Sequence, residues 1–222
     1  MGILLILMMV VVPSVHYRQT YRYAKRLRPV TEGKVYRSGC LMADGLEEAI
    51  KKYQIKTVVN LQDESPDPDV PNHYFTFRTT PESEVCRRMG VKFVFLPVEL
   101  VNGRELTRKH APTIDTFLEL MDDPNTYPVL IHCRAGLHRT GVMVALYRQE
   151  YEGWTKAEAL RELKYNGFGE FVSTAANPYI VQYILKYEPR GRRTTFREVL
   201  FIHQGDKSQI PNTKTQTNSN DQ

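Results

Sequence analysis

The feature that most constrains the fold is a polar, glycine-containing run, residues 132–141, that directly follows an apolar stretch. The run reads His-Cys-Arg-Ala-Gly-Leu-His-Arg-Thr-Gly, and residues 128–131 before it read Pro-Val-Leu-Ile. A short, branched apolar stretch of this kind is typical of a buried parallel strand. Residues 140–150 carry apolar side chains along one face, which predicts a helix. The sequence therefore predicts a strand, a tight loop and a helix in immediate succession.

A loop that joins a strand to a helix N-terminus is suited to binding an oxyanion, because backbone N–H groups and the helix dipole converge there. Within this loop, five residues separate Cys133 from Arg139. The helix N-terminus and the arginine both favour the thiolate form of the cysteine, which is a good nucleophile for phosphorus. Arg139 can bind two phosphoryl oxygens in a bidentate manner. The loop therefore predicts a phosphate site with a cysteine nucleophile.

Neighbouring residues strengthen this interpretation. The hydroxyl of Thr140 is expected to donate to the sulfur of Cys133 and so steady the thiolate as a leaving group. Gly136 permits a backbone turn that a side chain would obstruct. The alternative is an ordinary core cysteine beside a surface arginine, since the bare spacing occurs often by chance. The flanking His132, Thr140 and Gly141 favour the phosphate site.

The run resembles the signature loop of the cysteine-based protein tyrosine phosphatases, His-Cys-x-x-Gly-x-x-Arg-Ser/Thr, and its ending resembles the small dual-specificity branch. Residues 34–39 (Lys-Val-Tyr-Arg-Ser-Gly) and 57–61 (Thr-Val-Val-Asn-Leu) resemble strands of bacterial and Siw14-like atypical members. The resemblance covers residues 30–187. It implies an α/β fold, a single dual-specificity phosphatase-like domain with a central, mainly parallel sheet flanked by helices. Ligands bind such sheets at the carboxyl ends of the strands.

The resemblance also implies a role for each residue of the loop. Cys133 would form a phosphocysteine intermediate, Arg139 would hold the phosphoryl group, and Thr140 would assist hydrolysis of the intermediate. His132 would support Cys133 through hydrogen bonds. The implied phosphate cradle consists of Arg134, Ala135, Gly136, Leu137, His138 and Arg139. The resemblance implies neither a metal nor an organic cofactor.

The sequence departs from the family pattern at the position of the general acid. The family usually places an aspartate on a loop upstream of the cysteine, where it protonates the leaving oxygen. Here no aspartate lies between Asp69 and Asp115. Glu99, which follows the predicted strand, is the favoured candidate and Glu105 is the second. Asp115 is interpreted as part of a solvated helix face.

The predicted reaction is hydrolysis of phosphomonoesters, with phosphotyrosine as substrate and phosphoserine or phosphothreonine as further substrates of a phosphorylated protein. An alternative is an inositol phosphate, inositol pyrophosphate or phosphoinositide, because a good leaving group needs no general acid. Arg134 and His138 would add positive charge for such a polyanion. A third hypothesis is a phosphate-binding pseudophosphatase, motivated by the missing aspartate.

Charge and hydropathy are unevenly distributed. Residues 16–37 hold seven lysines or arginines and one glutamate, which accounts for the net charge of +5 and argues against a nucleic-acid-binding fold. Residues 3–12 are uninterruptedly apolar, shorter than the roughly 20 residues that span a membrane. If they insert, the following basic residues place the catalytic domain in the cytoplasm, anchored to a membrane surface through the N-terminus. A signal-peptide core or a frayed apolar helix is the alternative.

The length of 222 residues fits one catalytic domain with extensions. The predicted divisions are an apolar segment (1–15), a basic linker (16–29), the phosphatase domain (30–190) and a polar disordered tail (205–222). Further helices are predicted at residues 45–53, 81–89, 155–163 and from 179, a strand at 92–96 and a surface loop at 62–72. Three cysteines, an odd and low count, argue against a disulfide framework and agree with a reducing compartment.

Overall fold

The structure is a computed structural model. It describes residues 2–17, 24–74, 76–98, 112–169 and 179–191. The chain divides into two compact units, residues 1–188 and residues 189–222. All the helices and strands described below belong to the first unit, and only residues 189–191 of the second unit are described.

The described part of the first unit is built on a five-stranded, mainly parallel sheet with the order β1-β2-β7-β3-β6. Its strands are β1 (Arg28–Thr31), β2 (Val35–Gly39), β3 (Thr57–Asn60), β6 (Lys92–Phe95) and β7 (Val129–Cys133). The edge strand β1 is antiparallel to β2, and the other neighbours are parallel. A separate antiparallel pair consists of β4 (Asp69–Pro71) and β5 (Thr79–Pro81). The predicted α/β class with a mainly parallel sheet is confirmed.

In chain order the helices are α1 (Gly2–Tyr17), α2 (Ala43–Tyr53), α3 (Glu82–Arg88), α4 (Pro112–Asp122), α5 (His138–Glu152), α6 (Lys156–Tyr165) and α7 (Tyr179–Lys186). Helices α2 and α3 cover one face of the sheet, and α4 to α7 cover the other. A short 3-10 helix, Pro124–Thr126, precedes β7. Side chains of a strand alternate between faces, so β7 sends Val129 and Ile131 into the core beneath α4, α5 and α7, and Leu130 into the core beneath α2 and α3. A strand buried on both faces is continuously apolar, which is why it was recognisable in the sequence.

Most predicted elements are confirmed. The helices expected at residues 45–53, 81–89, 155–163 and from 179 correspond to α2, α3, α6 and α7, and the strand expected at 92–96 is β6. Thr155 caps α6 in a capping box with Glu158, as the spacing predicted. The loop prediction for residues 62–72 was partly wrong, because β4 lies at its end and pairs with β5. Prolines fit there because a two-stranded ribbon consists of edges alone.

The apolar N-terminal run forms α1, a helix that includes Pro13. Its apolar side chains at Met8, Met9 and Val10 are exposed. Within the described ranges, no helix combines the length and the apolar character needed to cross a membrane.

Candidate active site

The candidate site is the Cys loop, residues 133–139, which joins the end of β7 to the start of α5. Cys133 is the last residue of β7 and pairs with Gly39 at the end of β2. The strand is central and its five residues are all buried, so the position of the cysteine is fixed by the sheet. The loop therefore lies at the carboxyl edge of the parallel strands, where the topology predicts a ligand site.

Three consecutive carbonyl groups of the Cys loop are bonded to residues outside it. The bonds run from Cys40 N to Arg134 O at 3.3 Å, from Arg26 Nη1 to Ala135 O at 3.2 Å, and from Arg37 Nη2 to Gly136 O at 2.9 Å. In a trans peptide the N–H points away from the C=O of the same unit. Anchoring the carbonyls outward therefore turns the N–H groups of residues 135–137 toward the opposite side, which forms an anion nest.

The orientation of these N–H groups is evident at Gly136. Its N–H donates to the Cys133 sulfur at 3.3 Å, so it points to the same side of the loop as the nucleophile. Gly136 has a φ of +71°, and a Cβ atom built there would lie 2.5 Å from the carbonyl oxygen of Ser38. Both the conformation and the close approach of β2 require glycine, so the turn expected at this position has a specific cause.

Arg37, which donates to the Gly136 carbonyl, is a residue of the site that the sequence analysis did not identify. It lies on β2 and is 2% exposed. Burial, followed by the charge of Arg28, lowers its pKa to about 10, and the charge of Cys133 opposes this shift. The guanidinium is therefore positively charged at neutral pH and interacts electrostatically with Cys133. The sequence signal that could have identified it is an arginine within β2, a strand whose five residues are all buried.

Arg139 lies in the first turn of α5, and its side chain donates hydrogen bonds to three different residues. Nε donates to the carbonyl oxygen of Val98 at 3.1 Å, Nη1 to Glu64 at 2.7 Å, and Nη2 to Asp63. The two carboxylates follow β3 in the sequence, so the sheet brings them to the same edge as the Cys loop. Each Nη atom carries two hydrogens, so each retains one for a phosphoryl oxygen.

The two carboxyl groups that clamp Arg139 differ in their acidity. Burial and a hydrogen bond shared with Glu64 raise the pKa of Asp63, although the charge of Arg139 opposes the shift. The same hydrogen bond is the main cause that lowers the pKa of Glu64. As pH falls, Asp63 therefore becomes neutral first, and Glu64 remains the anionic partner of Arg139.

Two other residues predicted to take part in the site, Thr140 and His138, differ from their expected roles. Among the described residues, the buried Thr140 Oγ1 has no hydrogen-bond partner, so the expected bond to the Cys133 sulfur is not formed here. Burial and the charge of Arg139 lower the pKa of His138. His138 is therefore neutral at neutral pH and packs edge-on against Phe168. The expectation that it adds positive charge was wrong.

A cavity of about 530 Å³ borders the loop at Arg134. Its charged lining is balanced, with Lys25 and Arg134 against Glu64 and Asp69. The apolar part of the lining consists of Leu41, Met42, Pro68, Val70 and Pro71. The end of the predicted basic linker thus contributes directly to the site, through Lys25 here and through Arg26 at the loop carbonyl.

The general-acid candidates fall mostly outside the described residues, which is the case for Glu99 and Glu105. Val98, the residue before Glu99, is described and accepts the hydrogen bond from Arg139 Nε. Asp115 is exposed on α4, as its interpretation as a solvated helix residue predicted.

The two other cysteines differ from Cys133 in their surroundings. Burial raises the pKa of both Cys40 and Cys86 to about 12, and the charge of Glu82 adds to the effect. Both are therefore protonated thiols at neutral pH.

Comparison with known families agrees with this geometry. A family model described as "DSP-PTPase phosphatase fused to NAD+ Kinase" matches residues 15–177, which include the sheet and the whole Cys loop. The chain belongs to this family. The predicted membership of the cysteine-based, dual-specificity phosphatases is thereby confirmed.

Curated relatives match over short stretches. The dual specificity protein phosphatase TpbA of Pseudomonas aeruginosa is 49% identical over 43 residues, which is 19% of this chain and 20% of the relative. The putative tyrosine-protein phosphatase OCA1 of Meyerozyma guilliermondii is 40% identical over 52 residues, 23% of this chain and 28% of the relative. The matches thus span only 20–28% of the length of these relatives.

Solved structures share the fold over most of the chain. The core catalytic domain of the PP-IP phosphatase SIW14 of Saccharomyces cerevisiae has a TM-score of 0.55 at 19% identity, covering 81% of this chain and 93% of that one. P. aeruginosa TpbA has a TM-score of 0.50 at 24% identity, and the match covers 70% of this chain and 81% of TpbA. At these identities the likeness establishes the fold of a dual-specificity phosphatase.

Proposed function

We propose that the chain is a cysteine-dependent phosphatase that hydrolyses phosphomonoesters, phosphotyrosine first among them, through a phosphocysteine at Cys133. One observation carries the proposal: the N–H of Gly136 donates to the Cys133 sulfur within a loop whose neighbouring carbonyls are anchored outward. This arrangement combines a stabilised nucleophile with an anion nest around it. Such N–H groups stabilise the charge that develops on the transferred phosphoryl group.

The proposed chemistry has two steps. The Cys133 thiolate attacks phosphorus, the S–P bond forms, and the bond from phosphorus to the leaving oxygen breaks with its electron pair on that oxygen. A general acid protonates the oxygen. Water then attacks phosphorus, the S–P bond breaks to regenerate the thiolate, and the former acid accepts the proton from water. Arg139 would hold two phosphoryl oxygens in both steps, and Thr140 would assist the second. The hydrogen-bond support for Cys133 that was expected from His132 is not part of the proposal, because neither ring nitrogen of His132 has a hydrogen-bond partner among the described residues.

Glu99 is the general acid that we propose. Val98, the residue that precedes it in the sequence, accepts a hydrogen bond of 3.1 Å from Arg139 Nε, the side chain that would hold the substrate. Glu105 is the second candidate. Asp63 is a third that the structure adds, because its raised pKa favours the protonated form and it contacts Arg139 directly.

The cavity beside the loop favours an aryl phosphate over a highly charged inositol phosphate. Its apolar side chains suit a tyrosine ring, and its two basic residues are balanced by two acidic ones. An inositol pyrophosphate remains the second substrate hypothesis. The positions of Lys25 and Arg134 support it, and SIW14, whose fold is similar, is described as a PP-IP phosphatase.

A substrate panel distinguishes the hypotheses. Wild type and Cys133→Ser are assayed with an aryl phosphate, a phosphotyrosine peptide, a phosphoserine peptide and an inositol pyrophosphate. We expect turnover of the aryl phosphate and the phosphotyrosine peptide by wild type alone. Turnover of the inositol pyrophosphate alone would contradict the phosphotyrosine hypothesis and support the inositol pyrophosphate hypothesis. Equal residual rates for both proteins on every substrate would support the pseudophosphatase hypothesis instead.

Attachment to a membrane surface is a further proposal, for which the exposed apolar residues of α1 and the arginine-rich sequence after it give support. Sedimentation with vesicles of phosphatidylcholine and phosphatidylserine tests it. We expect the full chain to bind, and a chain lacking residues 1–23 to stay in the supernatant. Equal sedimentation of the two would contradict the proposal.

A further inference from the structure

Three potential metal ligands converge behind the Cys loop. Cys40 follows β2, Glu82 begins α3, and His132 is on β7 directly before the nucleophile. The sulfur of Cys40, a carboxylate oxygen of Glu82 and a ring nitrogen of His132 all lie within 4.8 Å of one another. Side chains alternate along a strand, so His132 and Leu130 face α2 and α3, whereas Cys133 faces the other core. The cluster is therefore distinct from the phosphate nest.

The polar atoms of this cluster have unused bonding capacity. Glu82 and His132 are each 1% exposed. The Nε2 atom of His132 lies 3.1 Å from Oε1 of Glu82, but the contact lacks hydrogen-bond alignment. Among the described residues, both ring nitrogens and the Oε2 atom of Glu82 lack a hydrogen-bond partner. Buried polar groups are almost always bonded, so a group of three such atoms is suited to binding a ligand.

We propose that Cys40, Glu82 and His132 form a binding site for a divalent zinc ion. Zinc prefers a mixed sulfur, nitrogen and oxygen set of this kind, whereas magnesium and calcium prefer oxygen alone. Bonds of about 2.0–2.3 Å in a tetrahedron place donor atoms roughly 3.3–3.8 Å apart, so small side-chain rotations complete the site. On binding, the ion takes the place of the Cys40 thiol proton, which passes to solvent.

The cavity beside the Cys loop gives the ion a route to the site. Cys40 and Gln62 both line it, so the cluster opens to solvent on the side of the sulfur. Water from the cavity supplies the fourth ligand of a tetrahedral ion. The ion would join β2, α3 and β7, three elements that are distant in the sequence, and would therefore stabilise the fold.

Cobalt spectroscopy of the full chain tests the site, because a thiolate bound to Co²⁺ gives a charge-transfer absorption in the near ultraviolet. The protein carries Cys133→Ser, so the nucleophile cannot contribute the band. We expect one equivalent of Co²⁺ to produce the band and one equivalent of Zn²⁺ to abolish it by displacement. Adding Cys40→Ser should remove the band. Adding Cys86→Ser, a matched change at a buried cysteine outside the cluster, should leave it.

Two further measurements guard against a folding defect in the variants. Far-ultraviolet circular dichroism should be the same for all three proteins, with Cys40→Ala as a replacement if Cys40→Ser is misfolded. Zn²⁺ should raise the Tm of the protein that keeps Cys40 by about 3 °C or more, and should not raise it where Cys40 is replaced. A band that persists without Cys40, or the absence of any band when Cys40 is present, would overturn the proposal.

Discussion

Arg37 Nη2 donates a hydrogen bond of 2.9 Å to the carbonyl oxygen of Gly136, and this buried contact joins β2 to the Cys loop. The next peptide N–H of the loop thereby points away from β2. The same guanidinium places a positive charge near the Cys133 sulfur. The contact therefore links a residue distant in the sequence to both the shape and the electrostatics of the candidate site.

Replacing Arg37 by methionine should lower kcat/KM by about tenfold or more, because a hydrogen bond to a charged group contributes roughly 1.5–3 kcal/mol. The Tm should change little, since the variant also removes the cost of burying a charge. Arg87→Met, at an exposed position of α3, is the matched control and should keep wild-type activity. A kcat/KM for Arg37→Met within about twofold of wild type would contradict a role of Arg37 in shaping the active site.

Substitution of two glycines distinguishes the effect of backbone strain from the effect of a steric clash. Gly33 and Gly136 both have a φ of +71°, but a Cβ atom at Gly33 meets nothing within 4 Å, whereas one at Gly136 lies 2.5 Å from Ser38 O. Gly33→Ala should cost about 1 kcal/mol in the free energy of unfolding and leave activity intact. Gly136→Ala should cost about 2 kcal/mol or more and abolish turnover. Denaturant unfolding and kinetics check both, and equal effects would contradict the close approach.

The carboxylate clamp on Arg139 predicts a pH-dependent affinity for anions. The pKa of Asp63 is raised, so this residue loses its negative charge early as pH falls, and an oxyanion then competes better for Arg139. Sulfate, which keeps its charge, should bind Cys133→Ser more tightly as pH falls from about 7 to about 4.5. Adding Asp63→Asn should make binding tighter at neutral pH and reduce its pH dependence. Calorimetry that shows the same pH dependence with and without Asp63 would contradict this role.

The proposed general acid predicts a change in the pH–rate profile. An acid must be protonated to assist the leaving oxygen, so the rate should fall as pH rises above its pKa. Glu99→Gln should remove this fall and lower kcat by about 10²-fold or more on a poor leaving group. Glu105→Gln is the matched control and should retain the profile. If Glu99→Gln retains it and Glu105→Gln or Asp63→Asn loses it, the acid is reassigned accordingly.

The sequence predicted the nucleophile loop and the architecture well, because both depend on local patterns. An apolar strand buried on two faces, a glycine turn and a helix start are contiguous in residues 128–150, and the structure confirms them. The capping box of α6 is equally local. The short ribbon that β4 forms with β5 was missed, since it depends on pairing between segments rather than on either one.

Contacts between distant segments were not predictable in the same way. Arg37 is bonded to Gly136 across 99 residues, and Asp63 to Arg139 across 76. Neither spacing carries a periodic signal, and only the parallel order of β2, β7 and β3 brings these side chains to one edge. His138 was misjudged for a related reason, because its low pKa follows from tertiary burial.

The most direct test of the central claim is detection of the phosphocysteine. Wild type and Thr140→Ala are mixed with an aryl phosphate, quenched rapidly in denaturant at alkaline pH, where the S–P bond persists, and analysed by peptide mass spectrometry. We expect one phosphoryl group on the peptide that contains Cys133, with a higher yield in Thr140→Ala because the second step is slower. Cys133→Ser should carry none and should not turn over. Turnover by wild type with no phosphoryl group on Cys133, or a rate for Cys133→Ser equal to that of wild type, would contradict the account.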